Sequence, residues 1–466
     1  MRLIITVTCF VLFVAQGMDA IAQNVIPPPG FVPGQGDDVP PTPPQEPPEP
    51  RWTPPASRTF TGSSDDSTPY SYSSSGRDYD QVRSMPRAGR GGTFRQPIVP
   101  EVVLDDGPPL PRVWFRAEAL YWWSKASPLP VPVVTQGNPA DTTPGAIGQP
   151  GTSVLLGNQN LALPSQGGGR FTFGFSFDPD QTWGFEISYF SLATASLTQG
   201  VTSNGGLGSG LLAFPFFNPN TASEDASPIA LPGAFAGTAV LSMTSFLQAD
   251  DLNFLHNVVS SNGIRLDLLG GFRNVNLQDG LHFATSSPNV PPNAPAFFNT
   301  FDSFTTNNNF YGGQVGARAS YDAARLFMNA TGKLALGETV ESVSVNGGTF
   351  TNIGGGFSSS NGGYLAQPTN MGSQSHNQFA VVPEMNLNVG LRLRPWASII
   401  VGYSFLYISS VARPGDQIDR VINPTQASAI SNNFPANLTG AARPELSVQN
   451  TSFWAQGINL ALEFRF

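Results

Sequence analysis

The side chains able to do chemistry are few, and their spacing gives them little to work with. The three histidines, His256, His282 and His376, have no i,i+4 pair among them, so neither a histidine-held metal nor a Ser-His-Asp triad finds a framework. Each reads better as an isolated strand or loop residue. No Gly-x-Ser-x-Gly elbow occurs, and Gly205-Gly206-Leu207-Gly208-Ser209-Gly210 lies in a long polar gap rather than at a strand-to-helix turn, which makes it a flexible loop before a phosphate cradle. Glu384 with Asp416 or Asp419 could supply the carboxylate pair of a glycosidase, but nothing in the sequence brings them together. Cys9, the only cysteine, falls in an apolar leader. A mature chain without it has no thiol for disulfides, zinc or nucleophilic attack. No catalytic, metal or cofactor-binding residue is assigned, no cofactor is expected, and the chain is expected not to be an enzyme.

What remains is charge in a pattern. Arg116, Glu118, Arg170, Glu186, Arg265, Asp267, Arg318, Lys333, Glu384, Arg392, Arg394, Glu463 and Arg465 all stand in stretches whose alternate residues are apolar. In the clearest stretch Phe171, Phe173, Phe175 and Phe177 share one face while Arg170, Thr172, Gly174 and Ser176 share the other. After the turn Asp178-Pro179-Asp180-Gln181, the residues Trp183, Phe185, Ile187 and Tyr189 repeat the pattern opposite Glu186, so the two form a hairpin. The same period-two pattern returns at Phe115–Trp123, Ile264–Arg273, Tyr311–Tyr321, Leu326–Leu336, Glu384–Arg394, Ile399–Tyr407 and Gly457–Phe466, and in weaker form at Phe246–Asn257, with Asp251 and Asn253 inward.

These elements point to an all-β, transmembrane, antiparallel up-and-down barrel of about ten strands. Twelve is the alternative, if Thr339–Thr349 or Leu281–Thr285 also pair. A cation facing lipid near the bilayer midplane costs about 2–4 kcal/mol, so the charges belong inside, in pairs, around a narrow or plugged lumen. Short gaps near Pro179, Ser261, Asp322 and Trp396 alternate with long ones at 126–168, 192–244, 284–309, 338–378 and 409–452, the latter expected to be external loops. Arg413, Asp416, Asp419 and Arg420 surround a Pro-Gly turn at the start of the last long gap, and are expected to pair with one another as a rim loop, either a salt-bridged turn that stabilises the rim or a loop folded into the mouth that sets permeability. The final strand places Phe464 and Phe466 on its apolar face, which resembles the signal read by the barrel-assembly machinery.

Composition agrees with a lipid-facing surface. Only 12% of residues are charged, against roughly 25% in soluble domains, and 34 of the residues are Phe. The formal charge of -9, with no Lys/Arg cluster, argues against nucleic acid as a partner. Beyond the leader no apolar run reaches transmembrane-helix length, so any membrane crossing must be made by strands. Residues 1–22 read as a secretory signal, with Arg2, an apolar run and Ala20-Ile21-Ala22 before cleavage. Residues 23–111 read as a disordered Pro/Ser/Gly-rich periplasmic linker, a spacer first and a ligand for periplasmic or cell-wall components second. The barrel occupies 112–466 of a protein destined for the bacterial outer membrane, where its lipids are the obvious partner.

Several segments carry a family resemblance. They are Ala117-Glu118-Ala119-Leu120-Tyr121-Trp122-Trp123 with Pro128-Leu129-Pro130, Leu266-Asp267-Leu268-Leu269-Gly270-Gly271-Phe272-Arg273, Phe310-Tyr311-Gly312-Gly313-Gln314-Val315-Gly316, Val382-Pro383-Glu384 and Arg413-Pro414-Gly415-Asp416-Gln417-Ile418-Asp419-Arg420. On these the chain resembles the putative beta-barrel porin-7 family of bacterial outer-membrane proteins, over essentially all of Val113 to Phe466. The resemblance implies an outer-membrane barrel and brings no substrate or catalytic residue with it. The expected function is a structural or narrow-pore, porin-like barrel. The competing expectations are a surface-binding or adhesion barrel acting through its external loops and, behind it, an outer-membrane hydrolase.

Overall fold

A computed structural model describes residues 111–430 and 439–466. The expected signal at 1–22, and all of the expected linker except its last residue, lie outside the described residues. In chain order the strands are β1 (Val113–Ser124), β2 (Ser127–Gly137), β3 (Ser153–Leu161), β4 (Gln166–Ser176), β5 (Trp183–Leu192), β6 (Ala195–Ser203), β7 (Leu211–Asn218), β8 (Ser223–Ala230), β9 (Gly237–Ser261), β10 (Ile264–Pro288), β11 (Phe297–Ala323), β12 (Leu326–Ile353), β13 (Gly356–Asn361), β14 (Gly372–Arg394), β15 (Ala397–Ala412) and β16 (Asn450–Arg465), with one 3-10 turn, η1, at Pro414–Gln417.

About ten of these strands close a ring, in the order β1-β4-β5-β9-β10-β11-β12-β14-β15-β16 and back to β1. Every pairing in it is antiparallel. Closure is completed where the backbone N–H of Val113 donates to the Phe466 carbonyl and that of Phe466 to the Val113 carbonyl. Closing the sheet removes the unpaired edges that lipid cannot satisfy. The alternation in the sequence becomes an outer belt, because Tyr121, Phe171, Ile187, Phe254, Leu268, Val315, Leu334, Leu387, Val401 and Leu460 are all exposed on the outside of their strands. An unbroken apolar girdle of that extent is matched to hydrocarbon and not to water. Trp183, Tyr321 and Trp396 mark its lower border and Tyr121 and Tyr311 its upper one. Tyr311 and Tyr321 are the two borders of one strand, and their separation of ten residues corresponds to roughly 25 Å at about 3.3 Å per residue and a tilt of about 40°. By the rule for bacterial barrels, the end with short turns faces the periplasm.

The long gaps do not behave as the sequence predicts. β9, β10, β11 and β12 run for 25, 25, 27 and 28 residues, far past the belt. Leu281–Thr285 and Thr339–Thr349 are the upper parts of β10 and β12, not additional wall strands. The reason is an exchange of polarity along one strand. Within the belt β10 turns Leu268 and Phe272 outward and Asp267 and Arg273 inward; above it, Leu277, Leu281 and Phe283 point inward while Gln278 and His282 are outside. Asn- and Ser-rich stretches that suggested loops are thus strands whose outer face meets water.

The tall wall is the outer layer of an extramembrane cap. A second antiparallel sheet, β3-β2-β7-β8, packs against its inner face. The resulting core joins Leu129, Val133, Phe214 and Phe216 from the small sheet to Leu241, Met243, Phe283, Phe304 and Val343 from the wall. The 362–371 segment is pinned to this core by Asp302 of β11, whose carboxylate accepts the backbone N–H groups of Tyr364, Leu365 and Ala366 at 3.1, 2.9 and 2.7 Å. This part of β11 lies above the belt. Burial pushes the Asp302 carboxyl up to about 7, against the pull of those three donors.

Candidate functional site

The lumen is built in layers, each fixed by the inward register of the ring strands. At the periplasmic end a cavity of about 460 Å³ opens between Trp114, Phe327, Arg265, Arg392 and Arg465. Above it a smaller cavity of about 40 Å³ is lined mostly by charged, amide and hydroxyl side chains, with Arg116 and Arg318 bordering both.

The charges are linked into chains across the barrel. Arg116 donates from Nε to Glu463 at 2.9 Å and lies 3.8 Å from Glu118, which lies 3.6 Å from Arg170. Arg170 reaches Glu384 at 3.9 Å, and Glu384 also pairs with the buried Arg273. Arg318 grips Glu186 through two bonds of 3.0 and 2.8 Å, and Lys333 pairs with Asp251 at 2.9 Å. Asp251 accepts from Asn253 at 2.6 Å, and Asn253 in turn accepts from Gln314 at 2.5 Å. Lower down, Arg265 holds Asp267 at 2.8 Å and the Gln181 carbonyl at 2.8 Å, so it also ties a periplasmic turn to the wall. In a closed barrel such pairs replace the water that the lumen has little room for. Each acid of the layer has a cationic partner, and the pairs Arg170–Glu384, Arg318–Glu186 and Lys333–Asp251 tie together strands that are not neighbours in the ring.

Over the charges lies an apolar floor. Leu120, Trp122, Phe190, Leu247, Leu277, Phe310, Leu406 and Phe453 are buried and packed together across the lumen. Arg170 marks the boundary, with its guanidinium 5.4 Å from the Trp122 ring centre and 5.3 Å from that of Phe190. Trp122 keeps its indole N–H satisfied by donating to Asn459 at 2.8 Å. The alternation gives no warning of this floor, because these apolar residues occupy the inward register otherwise held by charge. A signal was nonetheless present in Trp122-Trp123, where two adjacent indoles cannot both face lipid.

The remaining site residues divide by position. Arg116, Glu118, Arg170, Glu186, Arg265, Asp267, Arg318, Lys333, Glu384 and Glu463 point into the lumen. Arg392 and Arg465 sit at its periplasmic mouth. Arg392 pairs with Asp322 and lies over Phe327, while Arg465 donates to Glu463 at 2.7 Å. Arg394 is a correction, since it is exposed rather than luminal. The register between β14 and β15 shifts between Arg392 and Arg394, and this breaks the alternation. Arg273, Asp251 and Asp279 complete the charged set.

The segment Arg413–Arg420 is also corrected: its charges form no ion pair with one another, although Asp416 stays within electrostatic reach of Arg413. Arg413, fully buried, pairs with Asp279 of β10 at 2.6 Å, with Phe453 5.2 Å beneath its guanidinium. Arg420 pairs with Glu224 of β8, and Asp419 accepts from Arg443 at 2.9 Å. Each thus reaches a different segment. The turn between them is wedged under the small sheet, and a Cβ on Gly415 would collide with the Pro128 carbonyl. Glu384, occupied by Arg170 and Arg273, shares no partner with Asp416 or Asp419, so no glycosidase-like pair forms among them. His256 stacks on Trp183 at 4.0 Å, whereas His282 and His376 are exposed on strands above the belt. Among the described residues no group of three or more His, Cys, Asp or Glu could hold a metal ion.

A family model described as Putative beta barrel porin-7 (BBP7) matches residues 114–466. No curated protein matches the chain. Among solved structures, the chain is similar to the outer membrane protease OmpT from Escherichia coli, at 9% identity and a TM-score of 0.38, over 76% of this chain and 97% of that one. It is also similar to a Pseudomonas aeruginosa FadL homologue, at 8% identity and 0.20, over 76% and 90%, and to the P. putida toluene transporter TodX, at 8% and 0.16, over 76% and 90%. At these scores nothing of their activities carries over.

Proposed function

Taking as premise that the chain belongs to the Putative beta barrel porin-7 family of outer-membrane barrels, we propose that it serves as a structural barrel, closed to solutes in the state described, and that it is not an enzyme. The observation that carries this reading is the apolar floor of Trp122, Phe190, Leu277, Phe310 and Phe453 across the lumen. An ion crossing it would leave water for a layer lined mainly by apolar side chains whose few polar neighbours are already engaged, a transfer that costs several kcal/mol. The non-enzymatic reading rests on the lumen carboxylates beneath, each of which is engaged by a guanidinium or ammonium group and so is not free to act as a general acid or base.

Planar bilayers test the proposal. The purified full chain is expected to give no steady conductance, and the paired change Trp122→Ala and Phe310→Ala to give small, steady ion currents. Each of these substitutions removes about 3–5 kcal/mol of packing, so retention of heat-modifiable gel mobility must accompany the currents. Ohmic steps from the unaltered protein would overturn the closed reading and favour a pore.

A further inference from the structure

Outside the membrane, the convex face of the tall wall is a polar sheet over most of its area, with Gln278, Thr305, Ser342 and Ser344 at outward positions. Its upper corner differs. The pairing register places Phe297, Asn352 and Phe357 in one row across β11, β12 and β13. The next row is Asn299, Phe350 and Ser359, and the third is Phe301, Gly348 and Asn361. Rings and hydrogen-bonding side chains alternate in both directions over the first two rows, and the third adds one ring, a glycine and an amide.

The rings are arranged as a platform. Phe301 and Phe350 lie 6.1 Å apart and 19° from parallel, and Phe297 and Phe357 lie 6.1 Å apart with their planes inclined at 54°. Phe350 is 47% exposed and Phe357 80%. Gly348 is what lets Phe301 lie down, because a Cβ there would come within 2.6 Å of its ring. No Asp, Glu, Lys or Arg stands at any position of the three rows, and the neighbouring carboxylate, Asp302, is turned into the cap.

From this corner we infer a binding surface for a neutral oligosaccharide. A pyranose offers an apolar C–H face for stacking and a rim of hydroxyls that both donate and accept. The platform offers flat rings for the first, and the amides of Asn352 and Asn361 with the Ser359 hydroxyl for the second. Rows of the platform repeat along the strand direction and columns at the strand spacing of about 4.8 Å, close to the length of one sugar unit. An acyl chain would desolvate the amides without replacing their hydrogen bonds, and an acidic polymer would find no cation. The inference depends on the cap facing outward and is independent of whether the lumen conducts.

The test uses the folded full chain in detergent, with cellohexaose and maltoheptaose as neutral probes and an oligogalacturonate as the acidic one. Affinity electrophoresis is expected to show retardation by a neutral probe and none by the acidic one. Phe350→Ala and Phe357→Ala, both at exposed positions, are each expected to weaken it by about tenfold. Leu207→Ala, at a side chain 91% exposed elsewhere on the molecule, leaves it unchanged. Three results would overturn the proposal: no retardation by either neutral probe, equal loss in the Leu207 control, or self-association abolished by Phe357→Ala, which would assign the corner to a second copy. Heat-modifiable mobility in the same samples reports separately on the barrel.

Discussion

Two buried acids of the cap illustrate how differently one residue type can act. Asp279 is held by Arg413 with both side chains fully out of solvent. Arg413→Met leaves that carboxylate buried and unpaired, and a loss of about 3–5 kcal/mol is expected, whereas Arg413→Met with Asp279→Leu recovers much of it. Urea unfolding of the reconstituted barrel, followed through cap tryptic protection, measures both. Asp302 is governed by pH instead. Its carboxyl is raised from 3.8 to about 7 in the folded cap, so the folded state holds the proton over a range in which the unfolded chain has released it. Stability of the cap is therefore expected to fall as pH rises from about 4 through about 7 and to level off above. Asp302→Asn should flatten that slope, at the cost of an acceptor for one of its three backbone N–H groups, and proteolysis of the 362–371 segment across this range checks it. Little of this was legible in the sequence. The lumen residues Arg170 and Glu384 could be assigned inward because their neighbours on the strand are apolar, but Arg413 stands beside a Pro-Gly turn and Asp302 among Phe, Asn, Thr and Ser in no regular alternation, where nothing distinguishes a buried acid or base from a solvated one.

Individual strands were legible where lipid imposes its own alternation and obscure where water does. All ten ring strands show a period of two in the belt, since lipid excludes polar side chains from one face without exception. Above the belt, Asn307, Asn308 and Asn309 look like a loop by composition, yet Asn308 faces inward and donates to the Ala412 carbonyl at 3.0 Å, while Asn307 and Asn309 both accept from Asn276 on the outer face. Their strand state is set by pairing with β10 and β12, a tertiary effect that composition cannot report. This leads to a prediction about accessibility. Proteinase K acting on intact cells should cut at 289–296, the connection between β10 and β11, and spare 297–310. Hydrogen exchange should show the amides of Thr305 to Phe310 as slow as those of Val315, which lies in the belt.

Over the described residues a lipid-facing cylinder is joined to a water-soluble two-sheet cap with no linker between them, because β9–β12 and the upper part of β14 run through both. β12 alone, at 28 residues, spans roughly 70 Å at about 3.3 Å per residue and a tilt of about 40°. More than half of that height stands clear of the hydrocarbon. Cap and barrel should accordingly unfold together, and differential scanning calorimetry is expected to show one transition; two would mean that the polarity exchange along β9–β12 is also a mechanical break. The continuity has a further consequence in the language of forces. A pull applied at the top of the wall runs along the strands and is shared as shear over a ladder of hydrogen bonds from tip to periplasmic turn, with no hinge at which to yield. Load on the upper corner would thus be borne by the whole length of the wall and not by any single connection.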